Sequence, residues 1–244
     1  MYRHIYLFCM GRGGGNAVLY WILGEIEGDV QMLTKNGMRA YFNEDMNDGS
    51  VRVLRENVQH GKHQCCLSEF DRMSKEIPAF SSLSDRIILY SLRDPYNMMA
   101  SFLKNWQNKE AKLYPSKGKA NEARDEYIYD KIIPEWKALA YESLGHTSIL
   151  PASSRFINYN EWAISKDYRK QLAESLHLNF KDAQIDYVPA HGGGSSFTGT
   201  KSLNKNDLFN RWQAFRDNAV YRKIFEDDEL VGLSDEIFSV RHSL

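Results

Sequence analysis

A glycine-rich turn between a strand and a helix is the feature that most restricts the folds open to this chain. Residues 2–10 form an apolar run typical of a buried strand, residues 11–16 contain four glycines, and apolar residues follow at helical spacing over 17–26. Consecutive glycines are entropically costly unless the backbone must approach something closely. In a strand–turn–helix unit of this kind, backbone N–H groups converge on an anion at the helix N-terminus. The sequence therefore predicts an anion-binding loop, to which Arg12 adds a positive charge.

This loop differs from two well-known nucleotide-binding loops. A Walker A loop ends in Gly-Lys-Ser/Thr, whose hydroxyl binds magnesium, whereas residues 15–17 are Gly-Asn-Ala. A magnesium-dependent phosphotransferase is therefore disfavoured. The dinucleotide pattern Gly-x-Gly-x-x-Gly begins at Gly11 and Gly13, but Asn16 occupies the position of the third glycine. Because Asp29 can serve as a ribose-binding acid, a dinucleotide fold stays open on this loop alone.

Strand and helix patterns alternate along the rest of the chain. This order predicts a single α/β domain over residues 1–244, with a central parallel sheet flanked by helices. Asp94 and Pro95 are typical of the N-cap and the first residue of a helix. Residues 108–121, which contain Lys, Gly and Pro, are expected to form a surface loop. The expected strands are residues 64–67, 86–92 and 156–159, and the expected helices are residues 95–106, 122–144 with a bend at Pro134, 167–176 and 203–225.

Composition argues against a binding function that is spread over the whole surface. Lys and Arg number 31 and Asp and Glu number 32, so the formal net charge is −1. The chain as a whole therefore has no excess of positive charge with which to bind nucleic acid or an anionic membrane. Any anion site must therefore be local. The three cysteines lack metal-ligand spacing and are expected to be buried reduced thiols. With no signal peptide pattern and no apolar stretch of membrane-spanning length, we expect a soluble cytoplasmic protein.

A second pair of candidate site residues lies just after the strand at residues 86–92 and in the helix that follows it. Arg93 follows this strand, at the carboxyl edge where ligands bind in open α/β sheets, and Ser101 lies eight residues later in the next helix. An arginine at a strand end and a hydroxyl on the following helix can hold one phosphate together. The alternative is that Arg93 pairs with a carboxylate and Ser101 is a neutral surface residue.

The segment from Arg93 to Ser101 resembles the 3'-phosphate-binding segment of the sulfotransferases that use 3'-phosphoadenosine 5'-phosphosulfate (PAPS). The glycine-rich loop resembles the 5'-phosphosulfate loop of the same family. Residues 155–162 are similar to the family's strand ending in Tyr-Glu-Asp-Leu. Residues 191–197, with the later pair Arg211 and Trp212, are similar to its late loop and C-terminal helix. The four motifs occur in the family's order.

The resemblance implies a P-loop-like sulfotransferase architecture and a role for each matching residue. Arg93 and Ser101 fall on the ligands of the 3'-phosphate, and Tyr159 falls on an aromatic position near the nucleotide. The residues implied to surround the 5'-phosphosulfate are Arg12, Gly13, Gly14, Gly15, Asn16 and Ala17, and those implied to close over the nucleotide are Gly194, Ser195 and Ser196. The family usually carries hydroxyls where Gly15 and Asn16 stand, so a catalytically impaired binding module is an alternative.

The resemblance also implies the reaction. The family transfers a sulfuryl group from PAPS to a hydroxyl or amine and releases 3'-phosphoadenosine 5'-phosphate (PAP), with no metal. Arg12 is expected to stabilise charge on the bridging oxygen, and a base must deprotonate the acceptor. Glu69, which follows a short strand, is the first candidate for the base, and His63 is the second. The acceptor is expected to be a small molecule, carbohydrate or lipid and not a nucleic acid. A P-loop nucleotide or small-molecule kinase is a further alternative, and the sequence does not indicate an oligomeric state.

Overall fold

A six-stranded sheet forms the centre of the protein. The computed structural model describes residues 4–25, 30–33, 39–42, 63–69, 86–182, 185, 197 and 205–242. The strands are β1 (His4–Cys9), β2 (Val30–Leu33), β3 (Arg39–Phe42), β4 (His63–Glu69), β5 (Arg86–Leu92) and β6 (Arg155–Asn158). Their order across the sheet is β3-β2-β4-β1-β5-β6. All neighbouring pairs are parallel except β2 and β3, which are antiparallel. The predicted parallel sheet is therefore confirmed, with one antiparallel strand at its edge.

Helices cover both faces of this sheet. The helices are α1 (Gly15–Glu25), α2 (Pro95–Gln107), α3 (Glu110–Leu113), α4 (Lys117–Glu126), a π-helical turn (Tyr127–Ile132), α5 (Ile133–Ser143), α6 (Tyr159–Ile164), α7 (Lys166–Ser175), α8 (Lys205–Phe209), a 3-10 helix (Arg211–Phe215), α9 (Ala219–Ile224) and α10 (Asp228–Phe238). Side chains alternate between the faces along a strand. In β1, Ile5 and Leu7 pack with α1, α6 and α7. Phe8 and Met10 belong to the opposite layer, with α2, α5, α9 and α10.

The start of α2 matches the sequence prediction. Asp94 is the N-cap, its side-chain oxygen accepts a hydrogen bond of 2.8 Å from the backbone N–H of Asn97, and Pro95 is the first helical residue. This cap matters because it fixes the turn that carries Arg93 out of β5. No helix in the described ranges is both long enough and apolar enough to cross a membrane.

Several segments differ from the sequence expectations. Tyr159, expected at the end of a strand, begins α6, and the helix expected over 122–144 is interrupted by the π-helical turn. Residues 108–121 are not a loop, since they contain α3 and the beginning of α4. The single helix expected over 203–225 is broken into α8, the 3-10 helix and α9. Asn218 caps α9 by accepting a hydrogen bond of 3.0 Å from the backbone N–H of Tyr221. The break lets both Arg211 and Phe215 point into the protein, where they are buried.

Candidate functional site

The glycine-rich turn lies at the carboxyl end of β1, between the ends of β4 and β5. Open α/β sheets bind ligands at this edge. Helix α1 begins at Gly15, two residues earlier than its apolar spacing indicated. The backbone N–H groups of Gly15 and Asn16 therefore belong to the first helical turn, and they donate to no described residue, whereas that of Ala17 donates to the Gly14 carbonyl at 2.9 Å. The helix thus presents to the turn two N–H groups that have no acceptor among the described residues, together with the positive end of its dipole.

Gly14 is the residue in this turn that the surrounding packing requires to be glycine. Its φ is +85°, a conformation that other residues rarely adopt. A Cβ added there would lie 2.1 Å from a ring carbon of Tyr159. Arg12 also has a positive φ, of 68°, which costs a non-glycine residue on the order of 1 kcal/mol. The turn is therefore held in a strained shape that packs closely against Tyr159.

Arg93 is buried next to this turn. Only 2 % of its surface is exposed, and its Nη2 donates a hydrogen bond of 2.6 Å to the carbonyl of Leu208. Its guanidinium carbon lies 5.4 Å from the centre of the Tyr159 ring. Nε is buried and has no hydrogen-bond partner among the described residues, and no described carboxylate forms an ion pair with this arginine. Within the described part of the chain, no carboxylate therefore neutralises Arg93 in the way that the alternative interpretation required.

Ser101 contacts an arginine that the sequence analysis did not assign to the site. Its hydroxyl donates to the carbonyl of Asn97 at 2.8 Å and accepts a hydrogen bond of 3.0 Å from Nη1 of Arg211. Both Ser101 and Arg211 are buried. The only sequence signal for Arg211 was its place in the segment that resembles the C-terminal helix of sulfotransferases. Its role depends on the break in that helix, which the apolar spacing did not show.

Arg12 reaches the same helix from the glycine-rich turn. Its guanidinium donates a hydrogen bond to Oδ1 of Asn105, which lies one turn after Ser101 on the same face of α2. Burial lowers the pKa of Arg12 from its ordinary value. The glycine-rich turn and α2 therefore converge on one region of the site.

Three arginines come together in this region, which we call the arginine cluster: Arg12, Arg93 and Arg211. Burial is the main cause that lowers the pKa of Arg211 to about 10, and the positive charges of Arg93 and Arg12 lower it further, whereas the negative charge of Asp207 acts in the opposite direction. Arg211 remains protonated at neutral pH, so the cluster keeps its repulsion in the folded protein. A multivalent anion would relieve this repulsion, and the N–H groups of Gly15 and Asn16, which have no acceptor among the described residues, point to the same kind of ligand.

The two candidates for the base occupy opposite ends of β4. Glu69 is the last residue of that strand, and its Cα pairs in register with that of Cys9, the last residue of β1 before the turn. His63 is the first residue of β4 and so lies at the opposite edge of the sheet. The backbone placement favours Glu69 over His63, and the assignment of a base stays a prediction.

The late loop with Gly194, Ser195 and Ser196 lies outside the described residues. Phe197, which follows it, is described. Its ring centre lies 5.3 Å from the guanidinium carbon of Arg211 and its ring packs against Phe215. Within the ranges described, no three His, Cys, Asp or Glu residues are grouped so as to hold a metal ion.

Comparison with known proteins supports the fold. The chain is similar to the crystal structure of mouse sulfotransferase SULT7A1 complexed with PAP, with a TM-score of 0.50 and 12 % sequence identity. The match covers 92 % of this chain and 89 % of that one. No protein-family profile and no curated protein sequence matches the chain. The protein therefore has a sulfotransferase-like α/β fold.

Proposed function

We propose that this protein transfers a sulfuryl group from PAPS to a hydroxyl or amine of an acceptor. The observation that carries the proposal is the arginine cluster, in which Arg93 and Arg211 are buried and Arg12 is partly buried, at the carboxyl edge of a sheet with the sulfotransferase-like fold. The donor has two separate anionic groups, a 3'-phosphate and a 5'-phosphosulfate. The site offers cations and donors for both, because the three arginines extend from the glycine-rich turn to α2 and the 3-10 helix.

The 3'-phosphate is assigned to Arg93, Ser101 and Arg211. Arg93 has a buried Nε without a partner among the described residues, and such a donor is costly unless a ligand accepts from it. Ser101 is already hydrogen-bonded to Arg211, so both can turn toward one phosphate with little reorganisation. Guanidinium groups suit this ligand because they can donate two parallel hydrogen bonds to a phosphate.

The 5'-phosphosulfate is assigned to the glycine-rich turn and the first turn of α1. The N–H groups of Gly15 and Asn16 are available to its oxygens, and the closeness of Gly14 to the Tyr159 ring keeps the backbone in position. Arg12 would stabilise the negative charge that develops on the oxygen bridging phosphorus and sulfur. These backbone donors supply part of what the hydroxyls supply in the family, where this chain has Gly15 and Asn16.

The transfer step follows from these assignments. The acceptor oxygen or nitrogen forms a bond to sulfur while the bond from sulfur to the bridging oxygen breaks, and PAP leaves with the electron pair. The proton of the acceptor goes to a base, for which Glu69 at the end of β4 is the proposed residue. The chain's own contribution is to hold both anionic ends of the donor and to place the base beside the turn.

A PAP-binding module without catalysis is the second candidate, and the residues Gly15 and Asn16 favour it. Binding of PAP without any transfer from PAPS would separate this module from the enzyme. A P-loop kinase requires magnesium and a Gly-Lys-Ser/Thr loop end, which residues 15–17 lack.

Calorimetry with PAP and with adenosine 5'-phosphate, which lacks the 3'-phosphate, tests the proposal. We expect PAP to bind roughly 30- to 1000-fold more tightly, because the 3'-phosphate makes charge-assisted hydrogen bonds at a buried site. ATP should not substitute for PAP. Equal affinity for the two nucleotides would remove the 3'-phosphate assignment and with it the main support for PAPS as the donor.

A further inference from the structure

A basic surface adjoins the candidate site and is not explained by the proposed reaction. Residues 104–119 contain five lysines and one glutamate, although the whole chain has a formal net charge of −1. The lysines come from the end of α2, from α3 and its N-cap, and from the start of α4. They are Lys104, Lys109, Lys112, Lys117 and Lys119. None of them forms an ion pair with a described residue.

An exposed leucine lies among these lysines. The backbone N–H groups of Lys112 and Leu113 both donate to the Lys109 carbonyl, at 2.9 and 3.2 Å, so the three residues share one side of α3. All three are exposed, and Leu113 has 64 % of its surface in solvent. On the inner side, Tyr114 stacks on Trp106 with ring centres 5.5 Å apart. Helix α3 is therefore anchored to α2 by Tyr114, the residue that ends it, and presents lysines and a leucine outward.

An anionic lipid bilayer matches both features of this surface. Lysine side chains can bury their stems along the interface while the ammonium groups reach lipid phosphates, and an aliphatic side chain can enter the boundary between headgroups and acyl chains. A polyanionic glycan would pair with the lysines but would provide no apolar medium for Leu113. A second exposed aliphatic residue, Ile164 at 58 %, lies beside both acidic and basic residues and lacks this charge complementarity.

We propose that residues 104–119 dock the protein on an anionic membrane surface, with Leu113 at the centre of the contact. The docked surface begins next to the donor site, because Asn105 accepts the hydrogen bond from Arg12. If the proposed function holds, docking brings the reacting region close to lipid headgroups and favours a lipid acceptor. Docking itself does not depend on the proposed function.

Co-sedimentation with vesicles tests this surface without any activity. We expect the protein to sediment with phosphatidylcholine vesicles enriched in phosphatidylserine and not with pure phosphatidylcholine. Each basic residue near an anionic surface strengthens binding about fivefold, so K109E/K112E should weaken it by about 25-fold or more. Leu113→Ser should weaken it by roughly tenfold. The matched controls are K166E/K170E on α7 and Ile164→Ser at the end of α6. Both should bind the vesicles as the unchanged protein does.

PAP calorimetry on the same variants keeps docking separate from nucleotide binding. The α3 variants lie outside the arginine cluster and should bind PAP normally, which also shows that they are folded. The proposal is overturned if the protein ignores phosphatidylserine vesicles, or if K109E/K112E binds them as well as the controls do. Binding to soluble heparin but not to vesicles would likewise overturn it and would assign the lysines to a polyanion. Failure of PAP binding with intact vesicle binding would count against the proposed function alone.

Discussion

Replacing Arg211 by methionine should make the empty protein more stable and the nucleotide complex weaker. Arg211 is 8 % exposed, and its pKa is lowered to about 10 mainly by burial and then by the charges of Arg93 and Arg12. At about 1.4 kcal/mol per pKa unit, keeping this charge costs the folded protein on the order of 3 kcal/mol. The penalty is fully present at any pH well below the folded pKa, and therefore at neutral pH. Methionine keeps the unbranched shape and removes the charge.

The net effect on stability is smaller than this penalty. The variant loses the hydrogen bond to Ser101, worth about 1 kcal/mol, and the contact of the guanidinium with the Phe197 ring, worth about 0.5–1 kcal/mol. We therefore expect the free energy of unfolding without ligand to rise by about 1–2 kcal/mol, which for a chain of this size raises Tm by roughly 2–8 °C. PAP affinity should fall by about 2–4 kcal/mol, or roughly 30- to 1000-fold, because a charge-assisted contact to the 3'-phosphate is lost.

Thermal unfolding with and without PAP, together with calorimetry, measures both effects. Arg216→Met is the matched control, since Arg216 is exposed just after the same 3-10 helix and lies near Asp217, and it should change neither quantity. If Arg211→Met lowers Tm and leaves PAP affinity unchanged, Arg211 is a structural residue and the assignment of the arginine cluster to the nucleotide is wrong.

Four further substitutions test other parts of the site. Gly14→Ala should destabilise the protein by about 3 kcal/mol or more, because φ is +85° and the new Cβ would lie 2.1 Å from a buried tyrosine ring. Urea unfolding measures this effect, and the control Gly118→Ala, at a helical position with open space around it, should be neutral or stabilising. Glu69→Gln should reduce sulfuryl transfer and leave PAP affinity unchanged, because a base acts on the acceptor; full activity would contradict this assignment. Arg93→Lys should weaken PAP binding by roughly 30-fold or more and Ser101→Ala by about tenfold, and calorimetry showing the reverse order would contradict the assigned roles.

The parts of the fold that depend only on residues close together in the sequence were predictable. The apolar run, the glycines and the amphipathic pattern of residues 2–26 predict β1, the turn and α1 because each depends on local periodicity and backbone freedom. Asp94 and Pro95 predict the start of α2 for the same reason, since a cap acts within one turn. The exact start of α1 at Gly15 was missed, because the apolar pattern begins later than the helical backbone does.

The C-terminal part of the site was not predictable in this way. The apolar spacing over 203–225 favours one helix, but the chain breaks at Asn210 and Asn218. The break allows Arg211 to reach Ser101, 110 residues away, and to be buried near Arg93. Such contacts depend on packing between distant elements, which overrides local helix propensity.

The sequence by itself determined which residues stand at the ends of the strands. It put the glycine-rich turn after β1 and Arg93 after β5, and the resemblance added Ser101 and Tyr159. Only the tertiary structure decided that Gly14 fits against the Tyr159 ring, that Asn105 accepts from Arg12, and that a third arginine completes the cluster. The physical reason is that strand ends follow from a period of a few residues, whereas close packing and charge repulsion depend on distances between segments far apart in the chain.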